Sequence, residues 1–437
     1  MIIAIYLSIA LAQGVPDTLA LSAADAVALA HDANLTLRAE RAAAAAARRG
    51  ALEATPAFLP SVAVEVRGIR TTDPVAVFGA RLRQGTFGPD DFALDALNRP
   101  APFTSYDAAA TIEQPLFAPE GLFGYGAARR AADAREAAAD RAAGATVFQV
   151  TQAYWDARVA AQRRDALDTA LAAARAHTTQ AEAMRDQGLV TGLDARLARI
   201  RAAEIETQRL AATADAENAL SALRALLDLP ESTPLVLSDS LTAGEPAACE
   251  VDAACDLNRR GDLAAHRFGA EAAQLAVKRA WAANLPAVAA FASVAHRGES
   301  APWGGGSGDW TLGIGLTWHP FRALAGVGAV AGARAERDAM IAARDAAVRR
   351  AEMETLQARR HLVAALARVT VAQAGDVEGR EALEQARLRY RAGMAPSTEL
   401  LDVQAAATAA TLNLLAARRD LRVARAALDL AYGVHDR

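Results

Sequence analysis

The sequence predicts a mainly α-helical chain with a smaller β component, built as a tandem repeat of helix, strand, strand, long helix and long helix. Three observations carry that prediction. The 437 residues are 53% hydrophobic but only 5% aromatic, so alanine supplies the apolar fraction, and alanine forms helices well but buries little area per residue. Landmarks recur at one spacing: Pro115 and Pro320, Gly188 and Gly393, and Ala222-Leu223 and Ala427-Leu428 each lie 205 residues apart. Between the helical stretches lie short segments that alternate apolar and small or polar residues with period 2.

The elements follow in order. Ile2 to Ala12 is a short apolar segment, and Ala10-Leu11-Ala12 offers the small-x-small site of a signal peptide over residues 1–12, cut before Gln13. The alternative is a buried N-terminal element, since no Lys or Arg precedes the apolar run. The first repeat spans 19–229. It opens with a helix from Ser22 to Glu53, with Ser22 as N-cap and Asp25 at the third helical position. Strands follow at about 60–72 and 104–115, then long helices near Glu120–Gln187 and Leu193–Leu229. A linker, 230–257, holds Cys249 and Cys255, which either pair across a small loop or stay as two thiols. The second repeat, 258–433, has a helix from Asp262 to Ala283, strands at about 286–297 and 309–319, and helices near Phe321–Ala392 and Ser397–Tyr432. Residues 434–437 form a short tail. At 1.5 Å per residue the longest helices reach about 100 Å, more than a compact domain needs. Such helices pair as antiparallel coiled coils, and Val147, Val150, Tyr154, Ala157 and Ala161, with Leu193, Leu197 and Ile200, step at seam spacing.

The strands hold the most informative pattern. Trp310, Leu312, Ile314, Leu316 and Trp318 alternate with Thr311, Gly313, Gly315 and Thr317. A soluble sheet with one buried face alternates in the same way. Tryptophan at both ends of the apolar face and small or polar residues on the other fit a membrane barrel with a wet lumen. Val62, Val64 and Val66 alternate with Ala63, Glu65 and Arg67, and Tyr106, Ala108, Ala110 and Ile112 with Asp107, Ala109, Thr111 and Glu113. The third strand, Ala287 to Ala295, is too rich in alanine to phase. Four strands cannot close a barrel, and open edges are not tolerated in lipid, so a homo-oligomer must close it. Prolines mark the junctions: Pro60 and Pro286 before a strand, Pro115 and Pro320 before a helix. Thr72–Phe103 and Arg297–Gly308 read as long external loops, with Gly304-Gly305-Gly306 supplying flexibility.

Several function classes drop out. A net charge of −4 gives no basic field for nucleic acid. Two cysteines make neither a disulfide framework nor a four-cysteine zinc site. After the N-terminus the best apolar run, Ala323 to Ala333, is too short for a membrane helix. The seven histidines show no HExxH spacing, and no nucleophile elbow or dinucleotide fingerprint occurs. The sequence therefore predicts no enzyme, metal site or cofactor.

At this point the chain resembles a known family. The tandem halves with junction prolines look like the TolC-type outer-membrane factors, the outer membrane efflux protein family. Leu19-Ala20-Leu21-Ser22-Ala23-Ala24-Asp25-Ala26, Asn34-Leu35-Thr36-Leu37, Glu113-Gln114-Pro115-Leu116-Phe117 and Leu223-Arg224-Ala225-Leu226-Leu227-Asp228-Leu229 match its segments in order, within a resemblance running from Leu19 to Gly433. The resemblance implies a homotrimer in which three sets of four strands close one 12-stranded barrel in outer-membrane lipid, with a helical tunnel in the periplasm. It implies an exit duct for a tripartite efflux pump or type I secretion system, worked by a periplasmic adaptor and an inner-membrane pump of RND, ABC or MFS type. The family docks its adaptor at tip turns matched by Gln187-Gly188-Leu189 and Ala392-Gly393-Met394; both glycines equally read as αL turn residues. Its periplasmic aperture is matched by Glu399 and Asp402, by Asp194 after the first tip, and by Tyr390 as gating tyrosine. The plainer reading has Glu399 and Asp402 capping or solvating a helix start. Ala395, followed by Pro396, stands where some members carry a basic residue. Rival readings are a periplasmic adaptor and a structural coiled coil without a pore.

Overall fold

The computed structural model describes residues 18–241, 256–319 and 323–434. The predicted signal segment, Cys249, Cys255 and Pro320 lie outside the described residues. The chain divides into two units, one of Met1–Ala44, Glu136–Ala265 and Asp345–Arg437, the other of Ala45–Arg135 and His266–Arg344. In order, the elements are β1 (Leu19–Leu21), α1 (Ala23–Ala33), α2 (Leu35–Gly50), β2 (Ser61–Thr71), α3 (Pro74–Gln84), α4 (Leu94–Asn98), β3 (Phe103–Phe117), α5 (Pro119–Asp186), α6 (Gly192–Leu226), β4 (Leu235–Leu237), α7 (Gly261–Ala282), β5 (Ala287–Gly298), β6 (Gly306–Thr317), α8 (Ala323–Arg391) and α9 (Ser397–Tyr432). The chain is mainly helical, with helix–strand–strand–long helix–long helix in each half.

The opening helix differs from its expectation. Ser22 caps α1 through a full capping box: its Oγ accepts from Asp25 N at 3.1 Å, and Asp25 Oδ2 accepts from Ser22 N at 3.0 Å. The helix then breaks at Asn34, which has ψ of 119°. Asn34 Oδ1 accepts from Leu37 N at 3.0 Å, capping α2, while its Nδ2 donates to Leu226 O at 2.8 Å. One buried asparagine thus ends one helix, starts the next and ties both to the end of α6.

In the first unit, β1 and β4 pair in parallel, Leu19 opposite Leu235 and Leu21 opposite Leu237. They cover a cluster of Ala26, Ala30, Val150, Tyr154, Trp155, Leu223, Leu227 and Leu241. Tyr154 is wholly buried, and its hydroxyl donates to Leu21 O at 3.0 Å and accepts from Asp239 N at 3.1 Å. Burial pushes this phenol up to about 12. The expected seam holds at Val150, Tyr154 and Ala157 but not on α6. There Leu193 and Ile200 are 64% and 56% exposed, and Ala195 and Ala198 are buried instead. Alanine lets the helix axes approach, which turns the larger neighbours outward. By length and composition α9 is apolar enough to cross a membrane, contrary to the expectation that no such run exists after the N-terminus; its Leu400, Leu414 and Leu428 are buried in the unit.

The second unit holds an antiparallel sheet of order β2-β3-β5-β6. The alanine-rich third strand takes its phase from its partners, with Ala292 between Ile112 and Leu312. Pro115 lies inside β3, where the register against β5 slips between Pro115 and Phe117, so the missing N–H falls at an irregularity. Thr72–Phe103 is not a plain loop. Asp73 Oδ1 accepts from Ala76 N at 2.7 Å, Pro74 occupies the first turn, and Gly85 closes α3 at φ 69°. One glycine of the second loop serves contact rather than flexibility. A Cβ on Gly306 would collide with the carbonyl oxygen of Arg297, so only glycine lets the two strands meet there.

Candidate functional site

The sheet sorts its residues by chemistry. One row runs Val62, Ile112, Ala292, Leu312 across all four strands, and Val64, Ala110, Val294 and Trp310 form another. Leu312, Ile314 and Trp310 are each more than 70% exposed. An apolar face this open in a single chain cannot rest in water. Trp310 and Trp318 stand eight residues apart, about 27 Å along a strand, which matches the apolar band of a membrane barrel. Trp318 follows β6 directly, and its Nε1 donates to Asn284 O at 3.1 Å. Pro60 and Pro286 precede β2 and β5.

The opposite face holds most of the charges, with Arg70 near the end of β2 on the apolar parity. Glu65, Arg67, Asp107, Glu113, Arg297 and Asp309 all fall on it by register. Arg297 Nε lies 3.1 Å from Asp107 Oδ1, and its Nη1 contacts Asp309. Sequence reasoning names Asp107 but not this ladder, because Arg297 stands at the boundary of a strand too rich in alanine to phase.

The two helical turns share one backbone. Gly188 N donates to Arg185 O and Leu189 N to Met184 O, both at 2.9 Å, with Gly188 at φ 72°. Gly393 N donates to Tyr390 O at 3.0 Å and Met394 N to Arg389 O at 2.9 Å, again at φ 72°. Gln187, Leu189, Ala392 and Met394 are exposed. Around these turns the predicted aperture residues divide. The Asp194 carboxylate accepts from Thr191 N at 2.9 Å and Thr191 Oγ1 at 2.7 Å, and these bonds hold it below the usual carboxylate range. Glu399 pairs with Arg389 at 2.7 Å. Asp402 is exposed. Tyr390 is 3% exposed, directs its hydroxyl at Met184 Sδ (3.8 Å) and stacks edge-on against His177 at 5.0 Å. Burial, and then the nearby Asp194 charge, raises its phenol pKa. His177, which sequence reasoning passed over, is buried, and its Nε2 lies 3.2 Å from Ser397 Oγ. Among the described residues, no group of three or more His, Cys, Asp or Glu could hold a metal ion.

A four-stranded sheet joined to long helices in each half has counterparts among known proteins. The outer membrane efflux protein family matches residues 26–228 and 256–434. This chain belongs to that family. Structures with the same fold include a membrane protein from Pseudomonas aeruginosa, at 22% identity and TM-score 0.79, covering 94% of this chain and 93% of that one. The Campylobacter jejuni CmeC outer membrane channel matches at 16% identity and TM-score 0.83, covering 94% and 85%. The outer membrane protein VceC from Vibrio cholerae matches at 18% identity and TM-score 0.78, covering 94% and 96%. No curated protein matches the chain. This outer membrane efflux protein therefore has the fold of solved outer-membrane channels.

Proposed function

We propose that three copies of this efflux protein close a 12-stranded barrel, four strands from each, and form the outer-membrane exit duct of a tripartite pump or type I secretion system. The observation that carries this is the sheet itself. Its apolar face is exposed, its charged face suits water, and β2 and β6 remain as edges that lipid does not tolerate. The long helices form the periplasmic tunnel. The duct is passive, opened by a periplasmic adaptor docking at Gln187-Gly188-Leu189 and Ala392-Gly393-Met394 and energised by an inner-membrane pump. Asp194, Tyr390, Glu399 and Asp402 form the aperture, where copies of a carboxylate around one axis favour cations. The test is fractionation followed by recording. A detergent-stable trimer from the outer-membrane fraction that conducts in planar bilayers is expected; recovery as a soluble periplasmic protein overturns the reading.

A further inference from the structure

The segment between β2 and β3 is built against the charged face of the sheet. Val77, Arg81 and Gln84 fall on one side of α3, and Val77 and Gln84 are 3% and 4% exposed. Gln84 Nε2 donates to Ser105 Oγ at 2.9 Å, and the Arg81 guanidinium sits 5.4 Å from the centre of the Phe103 ring. Phe103 and Ser105 are buried and share the strand parity of Asp107, so α3 rests on the same face as the ladder and not on the apolar one. It also runs alongside β5 and β6. Asp91 neutralises Arg81, and edge-on contacts of Phe87 with Phe78 and Phe92, at 5.0 and 5.1 Å, hold the rest of the segment together.

We infer that α3 forms a fixed ledge over the channel face at the outer end of the barrel, and that the Asp107–Arg297–Asp309 ladder beside it sets which charged solutes pass. The inference rests on the duct reading above. Ser105 precedes Asp107 by two residues, so the footing of the ledge lies about 7 Å from the ladder. At the ladder two carboxylates share one guanidinium, and Glu65 and Arg67 beside them cancel. At the level of the ladder each copy therefore contributes one excess negative charge, with Glu113 six residues farther along β3, and three copies around a narrowed passage favour cationic over anionic solutes. Ser105, Gln84 and Val77 position the ledge; Asp107, Asp309 and Arg297 face the solute.

The test approaches from outside the cell, so that the periplasmic end is not in the path. Thr111→Cys places a thiol deeper on the channel face, in a full-length chain whose native cysteines are changed by Cys249→Ser and Cys255→Ser. Whole cells are treated with a cationic or an anionic methanethiosulfonate, each rate normalised to a free thiol. The cationic reagent should label faster. Asp309→Asn should lower the cation-to-anion ratio at least two-fold, Arg297→Gln should raise it at least two-fold, and Arg297→Lys should leave it unchanged. Replacing residues 74–98 with a short Gly-Ser linker, or expelling the helix by Val77→Asp, should raise both rates at least three-fold in protein that still forms the detergent-stable oligomer. Unchanged rates in both ledge variants, or an unchanged ratio in both charge variants, overturn the inference and leave the duct standing. No labelling at position 111 in any variant, or equal labelling of Leu312→Cys on the apolar face, overturns the duct reading and the ledge with it.

Discussion

At the first helical turn the support is local: Thr191 Oγ1 caps α6 by accepting from Asp194 N, and the Asp194 carboxylate accepts in turn from Thr191 N. At the second turn, 205 residues on, the capping position is Pro396, which has no side chain to give, and Glu399 reaches back to Arg389 instead. What holds that turn is Tyr390 and Ser397 against His177 and Met184 of α5. Duplication has preserved the glycine-centred backbone and let the side chains part company. A turn tied to its own residues cannot be shifted without breaking its helix start. A turn seated on another hairpin can be shifted by anything that disturbs the seat. If one of the two moves during opening, the second is the better candidate on these grounds.

That contrast can be broken experimentally, and the largest effect is expected at Tyr390. Tyr390→Ala empties the seat and should cost about 3–5 kcal/mol, as large-to-small changes at buried aromatics do, whereas Leu189→Ala, 65% exposed, should stay within about 0.5 kcal/mol. Denaturant midpoints of the two variants in detergent measure the difference, and equal midpoints would abolish the distinction between the turns. Thr191→Ala should cost about 1 kcal/mol through loss of a cap, with hydrogen exchange rising at the start of α6 and unchanged at Ser397.

Acid separates the two turns by window. Burial lowers the pKa of His177 from 6.5, and Thr191 lowers that of Asp194 from 3.8. Both groups have a depressed folded-state pKa, so each contribution is present above the unfolded value and lost as pH falls below it. Around His177 stand Tyr390 and Ser397, and burial is what lowers its pKa. Labelling of Met394→Cys, normalised at each pH to that of a free thiol, should therefore increase as pH drops below about 6.5, while normalised labelling of Leu189→Cys holds until about pH 4. Parallel pH profiles at the two sites would show that the seat does not titrate. The smallest effect on stability belongs to Glu399→Ala with Asp402→Ala. An exposed pair contributes about 0–1 kcal/mol, so the midpoint hardly moves, but cation preference in bilayers should fall and block by polyvalent cations weaken. Unchanged selectivity would remove these two residues from the aperture.

What could be read from the residues beforehand follows from how locally each feature is encoded. The αL turns were legible because positive φ asks for glycine, and the phase of β6 because tryptophan and leucine alternate with glycine and threonine. The phase of β5 was not, since alanine occupies both faces and only pairing with Ile112 and Leu312 assigns it. Helix α3 carried its signals, Asp73-Pro74 at one end and Gly85 at the other, but Gly79 and the proline-rich surroundings obscured them. The charge ladder needed the face on which Arg297 falls, which the unphased β5 withheld, and the seat of Tyr390 joins residues more than 200 positions apart. No spacing rule reaches that far.

The pairing of β1 with β4 bears on the order of assembly. Leu19–Leu21 finds its partner only when Leu235–Leu237 has been made, and closing so long a loop is a slow, entropically costly step. Yet every buried residue of the cluster beneath that pair lies between Leu21 and Leu241, in the first repeat and the start of the linker, and Leu415 of α9 packs against it. The first 241 residues can therefore bury this cluster before the later half folds, and present α9, with Leu415, a surface on which to pack.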